Sequence, residues 1–259
     1  MEVGMEQQKG LTGSTLKIIA MVTMLIDHIG ASILERGVMP KVADGSVMDA
    51  GVEAMKVYNR WKVVDMACRG IGRIAFPIFC FLLVEGFLHT GNWKKYFSRL
   101  FLFSLISEVP FDLAVFKSWY DFSSQNVFFT LFLGVLMLTL VDWIGRNTDA
   151  ALAQYRQMAV IVAAALLAWF LRTDYDAAGI MLIAVLFWFR LTPDTACLAG
   201  FILMAAAEFR PVYIPGLAAS FFLIRCYNGT RGAWKGKWFF YLVYPVHLLV
   251  LYGLYRVIF

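Results

Sequence analysis

The sequence predicts an all-α membrane protein, a single bundle of about nine transmembrane helices around a polar cavity. Its 259 residues are 61% hydrophobic and 16% charged, whereas a soluble domain has about 25% charged residues. The mean hydropathy is +0.69, and repeated apolar runs approach the roughly 20 residues that one crossing of a bilayer needs. No polar segment is long enough to build a separate domain, so the composition excludes soluble enzymes and soluble binding modules.

Polar or turn-forming residues separate the apolar segments, as at Arg172-Thr173-Asp174 and Arg210-Pro211. The helices are expected to begin near Thr15, Gly70, Tyr96, Asn126, Gln157, Tyr175, Asp194, Val212 and Trp238. Segments five to eight are short and closely spaced, which leaves about eight to ten helices open. We therefore divide the chain into a cytoplasmic tail, residues 1–14, and a single transmembrane domain, residues 15–259. Within that domain, residues 35–69 are expected to form a polar loop or an interfacial insertion.

The distribution of Lys and Arg predicts the orientation of these helices. If the N-terminus lies in the cytoplasm, most basic residues of the short loops lie there too, as the positive-inside rule requires. The segment 35–69 adds further basic residues to the opposite side and weakens this assignment. The balance predicts a multi-pass protein with a cytoplasmic N-terminus.

An acid and an imidazole, Asp27 and His28, stand side by side inside the first apolar run. A charged group in a membrane helix costs roughly 2.5–3.5 kcal/mol on insertion scales, so such groups are candidate functional residues. Neighbouring helix residues point about 100° apart, which suggests that His28 faces a cavity while Arg73 or a backbone donor holds Asp27. A structural ion pair between the first two helices explains the same residues, because buried charges are usually paired.

Further polar residues lie in apolar surroundings. Glu108 and Asp112 are spaced i, i+4 and share one helix face, although a solvated helix end has the same pattern. Asn126 opens the fourth helix, where it can contact a polar ligand or cap the helix. A lone His247 in the last helix is more often a packing residue than a catalyst.

A polar loop, residues 227–232, precedes the last helix and contains two glycines and Arg231, with Lys235 and Lys237 after it. Glycine lets the backbone approach a ligand closely, and Arg and Lys suit phosphate groups. The same predicted side also carries Lys94, Lys95 and Arg99. The loop could therefore bind a phosphorylated cofactor, although an ordinary positive-inside loop has the same composition. The sequence contains none of the soluble-enzyme signatures and no metal-like cysteine spacing, so we expect no metal site.

Eight short segments carry a family resemblance. They are Leu16 to Gly30 with its core Asp27-His28-Ile29-Gly30, Gly72-Arg73-Ile74-Ala75-Phe76-Pro77-Ile78-Phe79, Glu85-Gly86-Phe87, Glu108-Val109-Pro110-Phe111-Asp112, Gln125-Asn126-Val127-Phe128-Phe129-Thr130, Asp174-Tyr175, Tyr227-Asn228-Gly229 and Tyr244-Pro245-Val246-His247-Leu248. In this order, over about Leu16 to Tyr252, they resemble the TraX family of membrane proteins linked to N-terminal acetylation of pilin. The insertion at 36–62 matches no motif of that family.

The resemblance implies an acyltransferase of the bacterial cytoplasmic (inner) membrane that uses acetyl-CoA. It implies catalytic roles for Asp27, His28 and Glu108. Cofactor contacts are expected from Arg73, Asn126, Asn228, Arg231 and Lys235, and substrate contacts from Asp112, Asp174, Tyr175 and His247. His28 is the expected general base, because an α-amino group, with a pKa of about 7.7–8.0, must lose a proton before it attacks a thioester.

Two other functions explain the same polar residues. Asp and His in spanning helices also form proton relays, so a proton-coupled transporter is an alternative, although we find no inverted repeat of the kind transporters show. A non-catalytic assembly factor for a pilus or surface polymer would use these groups to join helices. The expected partners are the lipid bilayer and an acyl acceptor, which is pilin, another peptide amine or a saccharide. No nucleic-acid partner is expected, and a homo-oligomer is compatible with the sequence.

Overall fold

The computed structural model describes residues 10–43, 52–234 and 236–259, and its regular elements in these ranges are helical. They are α1 (Gly13–Ile29), a π-helical segment (Gly30–Val38), α2 (Met39–Ala43), α3 (Val52–Gly72), α4 (Ala75–Leu88), α5 (Trp93–Val115), α6 (Val127–Asn147), α7 (Ala150–Phe170), α8 (Asp176–Trp188), α9 (Pro193–Glu208), a 3₁₀ turn (Pro211–Tyr213), α10 (Ile214–Arg225) and α11 (Lys237–Ile258). The helices α1 and α2 with the π-helical segment form one continuous rod, and α3 and α4 form a second. The described ranges therefore contain nine helical units, which confirms the predicted all-α membrane bundle.

Five of these units, within the described residues, are long and apolar enough to cross a bilayer. They are Gly13–Ala43, Glu53–Leu88, Val127–Asn147, Ala150–Phe170 and Trp238–Ile258. Large apolar side chains such as Phe101, Leu166 and Phe170 are exposed on the outside of the bundle. Exposed apolar surface of this extent requires a lipid environment, since water would not solvate it.

The first rod begins at a capped end and changes its winding in the middle. The hydroxyl of Thr12 accepts a hydrogen bond from the backbone N–H of Thr15, which satisfies one free donor of the first turn. After Ile29 the backbone winds as a π-helix up to Val38. The ammonium of Lys117, in the loop after α5, donates to the Ser32 hydroxyl at 2.9 Å and so ties α5 to this segment.

The second rod is interrupted between α3 and α4, at Arg73 and Ile74. Pro77 lacks a backbone N–H, so the carbonyl of Arg73, four residues earlier, loses its helical partner. The backbone before Pro77 is wound more tightly than an α-helix, since the amides of Arg73 and Ile74 donate to the carbonyls three residues before them. This break exposes the Arg73 side chain to the neighbouring helices.

The helices pack around a continuous apolar core that includes Leu16, Ile78, Leu138, Ile180 and Leu248, which are all fully buried. The loop before α11 lies beside the start of α1, since the amides of Gly13 and Ser14 donate to carbonyls of that loop. We call this side of the molecule the N-terminal end of the bundle. The last residue, Phe259, contacts Gly37 and Lys41 at the opposite end.

The predicted helix boundaries needed correction at the polar insertion. In its described parts, 35–43 and 52–69, the segment is helical and extends both rods beyond the apolar runs. The second helical unit therefore begins at Val52 and not near Gly70. Apolar length marks only the part of a helix that can lie in lipid, whereas Ala, Met, Glu, Lys and Arg also favour helix outside it.

Candidate active site

Two histidines from opposite ends of the sequence form a hydrogen-bonded pair. His28 lies at the end of α1 and His247 in the middle of α11, and the Nε2 atom of His247 is 2.9 Å from the Nδ1 atom of His28. The two rings are 4.9 Å apart, and the ring of Tyr244 packs edge-on against both. His28 is 9% exposed and therefore faces the interior of the bundle, whereas His247 is half-buried.

The hydrogen bonds of this pair determine which nitrogen carries each proton. The Nδ1 atom of His247 lies 2.7 Å from the carbonyl oxygen of Val243, which can only accept. His247 therefore carries its proton on Nδ1 and offers Nε2 as an acceptor to Nδ1–H of His28. The Nε2 atom of His28 is left with a free lone pair and has no hydrogen-bond partner among the described residues. It is placed to accept a proton.

Asp27, the residue before His28, forms an ion pair with α3. The Nη1 atom of Arg69 lies 2.7 Å from Oδ2 of Asp27, while Oδ1 is buried without a partner among the described residues. Gly72 makes this approach possible, because a Cβ at that position would overlap the Asp27 side chain. The expectation that Arg73 or a backbone donor holds the Asp27 carboxylate was therefore wrong. Sequence reasoning missed Arg69, although its i, i+4 spacing from Arg73 places both on one helix face.

Arg73 lies just after the end of α3 and belongs to a second cluster of polar side chains. Its Nη1 atom donates to the Tyr175 hydroxyl at 2.7 Å and lies 3.3 Å from the carboxylate of Glu208. The guanidinium also lies over the ring of Tyr213, 4.5 Å from its centroid. These groups line a cavity of about 390 Å³ together with Arg69, Asp176, Ala178, Met204, Ala207 and Arg210. We call it the second cavity.

The backbone at Asp174 and Tyr175 is fixed by three neighbouring segments. The Thr130 hydroxyl donates to the carbonyl of Asp174, whose amide donates to the carbonyl of Gln125. Tyr175 has a positive φ of 63° and stacks on Phe76 with 3.6 Å between ring centroids. Loss of solvent raises the pKa of Asp174 to about 6, although the positive charge of Arg73 opposes this shift.

Asn126 and Glu108 contact each other beside the first turn of α6. The Asn126 side chain is fully buried, accepts from the amide of Phe128, and donates to the Ser104 carbonyl and the Glu108 carboxylate. The Asp112 carboxylate accepts from the amide of Asp121. The described contacts of Asn126 thus all go to protein atoms, and its predicted cofactor contact stays a prediction.

A larger cavity, about 490 Å³, opens at the N-terminal end of the bundle. We call it the first cavity. Basic and polar side chains line its mouth, namely Lys17, His89, Arg99 and Arg231. Its walls are mostly apolar, including Met21, Phe79, Leu83, Phe128 and Leu131. Met24 and Tyr244 lie at its inner end, and Met24 stands about 16 Å along α1 from Gly13.

The inner end of the first cavity therefore lies one helical turn from the histidine pair, since Met24 precedes His28 by four residues and Tyr244 precedes His247 by three. Sequence reasoning missed Tyr244 and Lys17. The signal for Tyr244 was its place in the last segment of the family resemblance, directly before the proline of α11.

The loop at the mouth is fixed to the start of α1. The carbonyl of Arg231 accepts from both the amide and the hydroxyl of Ser14. The carboxamide oxygen of Asn228 accepts from the amide and the hydroxyl of Thr230, which stabilises the turn. Gly229 and Gly232 have φ values of 75° and 81°, which other residues rarely adopt. Lys235 lies outside the described residues.

The structure thus brings the predicted residues into three groups. His28 and His247 form the histidine pair, with Asp27 directly before it, and Glu108, Asp112 and Asn126 lie on α5 and at the start of α6. Arg73 and Tyr175 line the second cavity, and Arg231 lines the mouth of the first. Among the described residues no group of His, Cys, Asp and Glu side chains has the geometry of a metal site.

Comparison with known proteins assigns the chain to a family. Its residues 12–255 match the family described as TraX protein. The chain is also 27% identical, over 258 residues, to a probable fimbrial assembly protein FimC, serogroup H1, of Dichelobacter nodosus; this match covers 91% of the chain and 92% of the relative. No solved structure matches the chain. The family match extends over nearly all of the helices that hold the histidine pair and both cavities, and the protein belongs to the TraX family.

Proposed function

We propose that this protein is a membrane acetyltransferase that moves an acetyl group from acetyl-CoA to an amine, with His28 as the general base. The proposal depends on the chain of hydrogen bonds that runs from the Val243 carbonyl through His247 to His28. This chain leaves Nε2 of His28 unprotonated. This atom lies close to the inner end of a cavity with a basic mouth.

The first cavity suits acetyl-CoA in both size and chemistry. Its volume of about 490 Å³ lies within the range of small-molecule sites, roughly 300–1,000 Å³. Arg99, Arg231 and Lys17 would bind the phosphates at the mouth. The apolar walls would contact the thin pantetheine arm and direct the thioester towards Tyr244. Acetyl-CoA supplies the activated acetyl group, and the protein orients it and excludes water.

His28 then performs the proton transfer. Its Nε2 atom accepts the proton of the attacking amine, while Nδ1–H stays bonded to His247 and keeps the ring in place. Asp27, the residue before His28, carries a carboxylate that favours the positive charge of the resulting imidazolium. The imidazolium next donates its proton to the departing thiolate. Such a base contributes about 10²–10⁴-fold to a rate.

We further propose that the acceptor enters from the second cavity. Its lining combines the carboxylates of Glu208 and Asp176 with the guanidinium groups of Arg73 and Arg210, a mixture that suits an ammonium group next to an anionic one. The name of the Dichelobacter relative, a probable fimbrial assembly protein, supports a pilin amine as acceptor. We propose the bacterial cytoplasmic membrane as the location of the protein, with acetyl-CoA reaching the N-terminal end of the bundle from the cytoplasm.

The variant His28→Gln tests the base. Glutamine keeps size and polarity but accepts no proton at neutral pH, so CoA release with a peptide amine as acceptor should fall at least about 10²-fold. Binding of acetyl-CoA, measured by calorimetry, should persist. Near-wild-type transfer by the variant would exclude His28 as the base. Normal pilus assembly together with no acetyl transfer by the wild-type protein would favour the purely structural role.

The charge-removing variant Arg231→Ala tests the cofactor site. CoA binding should weaken and should lose part of its salt dependence, because one phosphate contact is removed. Arg256→Ala is the matched control, since this exposed arginine on α11 lies near the opposite end of the bundle. Equal effects of the two variants would place the CoA site elsewhere.

A further inference from the structure

The hydroxyl group of Tyr244 has no hydrogen-bond partner among the described residues, although the side chain is 3% exposed. A buried hydroxyl without a partner is costly and rare in folded proteins, and each such case needs a reason. Tyr244 lies at the inner end of the first cavity and its ring centroid is 5.7 Å from that of His28. Its O–H is therefore available at the place where the thioester would arrive.

A second unused donor lies next to this hydroxyl. Val127 is the first residue of α6 and also lines the first cavity. The cap residue Asn126 accepts hydrogen bonds from the two amides after that of Val127. Its side chain accepts from Phe128 N–H, and its carbonyl accepts from Phe129 N–H. Within the described residues the Val127 N–H meets no acceptor besides the Tyr244 oxygen, with which it forms no regular hydrogen bond.

The position of Val127 adds an electrostatic contribution. The N-terminus of a helix carries roughly half a positive charge, and its free N–H groups bind anions. The helix α6 is 21 residues long, so this dipole is well developed. The Tyr244 hydroxyl, the Val127 N–H and the start of α6 thus converge beside the histidine pair.

We propose that the Tyr244 hydroxyl and the Val127 N–H form an oxyanion hole for acetyl transfer. This inference rests on the function proposed above. When the amine nitrogen bonds to the acetyl carbon, the carbonyl π electrons move to oxygen, and these two donors stabilise the oxyanion. His28 Nε2 takes the amine proton. As the C=O bond re-forms, the C–S bond breaks, and His28 returns the proton to the thiolate to give CoA and the N-acetyl product.

Tyr244→Phe is the first test, with Tyr252→Phe as the matched control on the same helix. Removal of one oxyanion donor should lower kcat about 10²–10³-fold, while KM for acetyl-CoA and the melting temperature stay close to those of the wild type. The control should keep full activity. Full activity of Tyr244→Phe would overturn the oxyanion hole.

Val127→Pro is the second test and removes the backbone donor alone. Proline is favoured at the first position of a helix, and Asn126 already has the extended backbone, φ −63° and ψ 159°, that a following proline requires. Ala150→Pro at the first position of α7 is the matched control. Val127→Pro should lower kcat by about 10²-fold. The double variant with Tyr244→Phe should lower kcat by less than the product of the two single reductions.

The two proposals fail in different ways. Wild-type protein that binds acetyl-CoA but transfers no acetyl group to any amine overturns the acetyltransferase function and this inference with it. An active wild type whose Tyr244→Phe variant remains fully active overturns the oxyanion hole alone.

Discussion

The carboxylate of Asp27 is bound by Arg69, whose Nη1 atom lies 2.7 Å from its Oδ2 atom. This contact joins the two long rods at the level of the histidine pair, directly beside the proposed base. Both Arg69 and Arg73 line the second cavity, but their contacts differ. Arg69 binds Asp27 of α1, whereas Arg73 binds Tyr175 and Glu208.

Removal of either partner of this ion pair should destabilise the fold. Asp27→Ala leaves a partly buried guanidinium without its partner, and Arg69→Ala leaves the carboxylate alone. Breaking a fully buried pair costs about 3–5 kcal/mol, and we expect about 1–3 kcal/mol here because both side chains keep some contact with solvent. Unfolding in detergent should show that the double variant costs less than the sum of the two. Strictly additive losses would mean that the pair does not couple.

The substitution Gly72→Ala should force the two rods apart. The added methyl group would overlap the Asp27 side chain, and overpacking of this kind costs about 1–3 kcal/mol. Gly253→Ala is the control, since a Cβ there meets nothing within 4 Å and alanine favours helix by about 0.5–1 kcal/mol. A lower melting temperature is expected for Gly72→Ala only. Equal stability of both variants would contradict the close approach.

The protonation states of the histidine pair can be observed directly. The chain contains three histidines, so the ¹⁵N spectrum of the imidazole groups is simple to assign with His89→Gln as a reference. We expect His28 and His247 to carry their protons on Nδ1 at neutral pH. A signal from protonated Nε2 of His28 would reverse the hydrogen-bond order and remove the proposed base.

The stability of the protein should depend on Asp174 between about pH 4 and pH 6. Loss of solvent raises the pKa of this carboxyl to about 6, above the usual value of about 3.9 for the unfolded chain. The folded state therefore binds more protons in this window, and its stability falls as the pH rises through it. Asp174→Asn removes this loss. Its melting temperature relative to the wild type should rise from pH 4 to pH 6 and then level off; a constant difference would contradict the shift.

Much of the fold followed from the sequence because lipid permits few alternatives. A spanning segment must satisfy its backbone internally, so apolar length alone identified α1, α6 and α11 as helices. The same rule missed the helical continuation through 35–43 and 52–69, where polar residues extend the helices beyond the apolar runs. In that region helix propensity and packing decide, and apolar length carries no information.

The site was less predictable because its contacts link distant parts of the chain. Sequence reasoning selected His28 and His247 separately, but their pairing joins residues 219 positions apart. The choice of Arg69 over Arg73 as the partner of Asp27 depends on the rotation of α3 at the break before Pro77, which no local pattern reveals. The role of Tyr244 depends on the absence of a partner, and that is visible only once its surroundings are known.

The π-helical segment Gly30–Val38 follows the proposed base at a distance of two residues. A π turn contains about one residue more than an α turn, and such turns are frequent at functional sites. Loss of one residue there can therefore restore α-helical bonding, whereas the same loss before Asp27 would rotate His28 about 100° away from His247. We expect length variation among relatives in this helix to be confined to the segment after Ile29. Insertions and deletions can then lengthen or shorten the outer part of the rod without moving the proposed base.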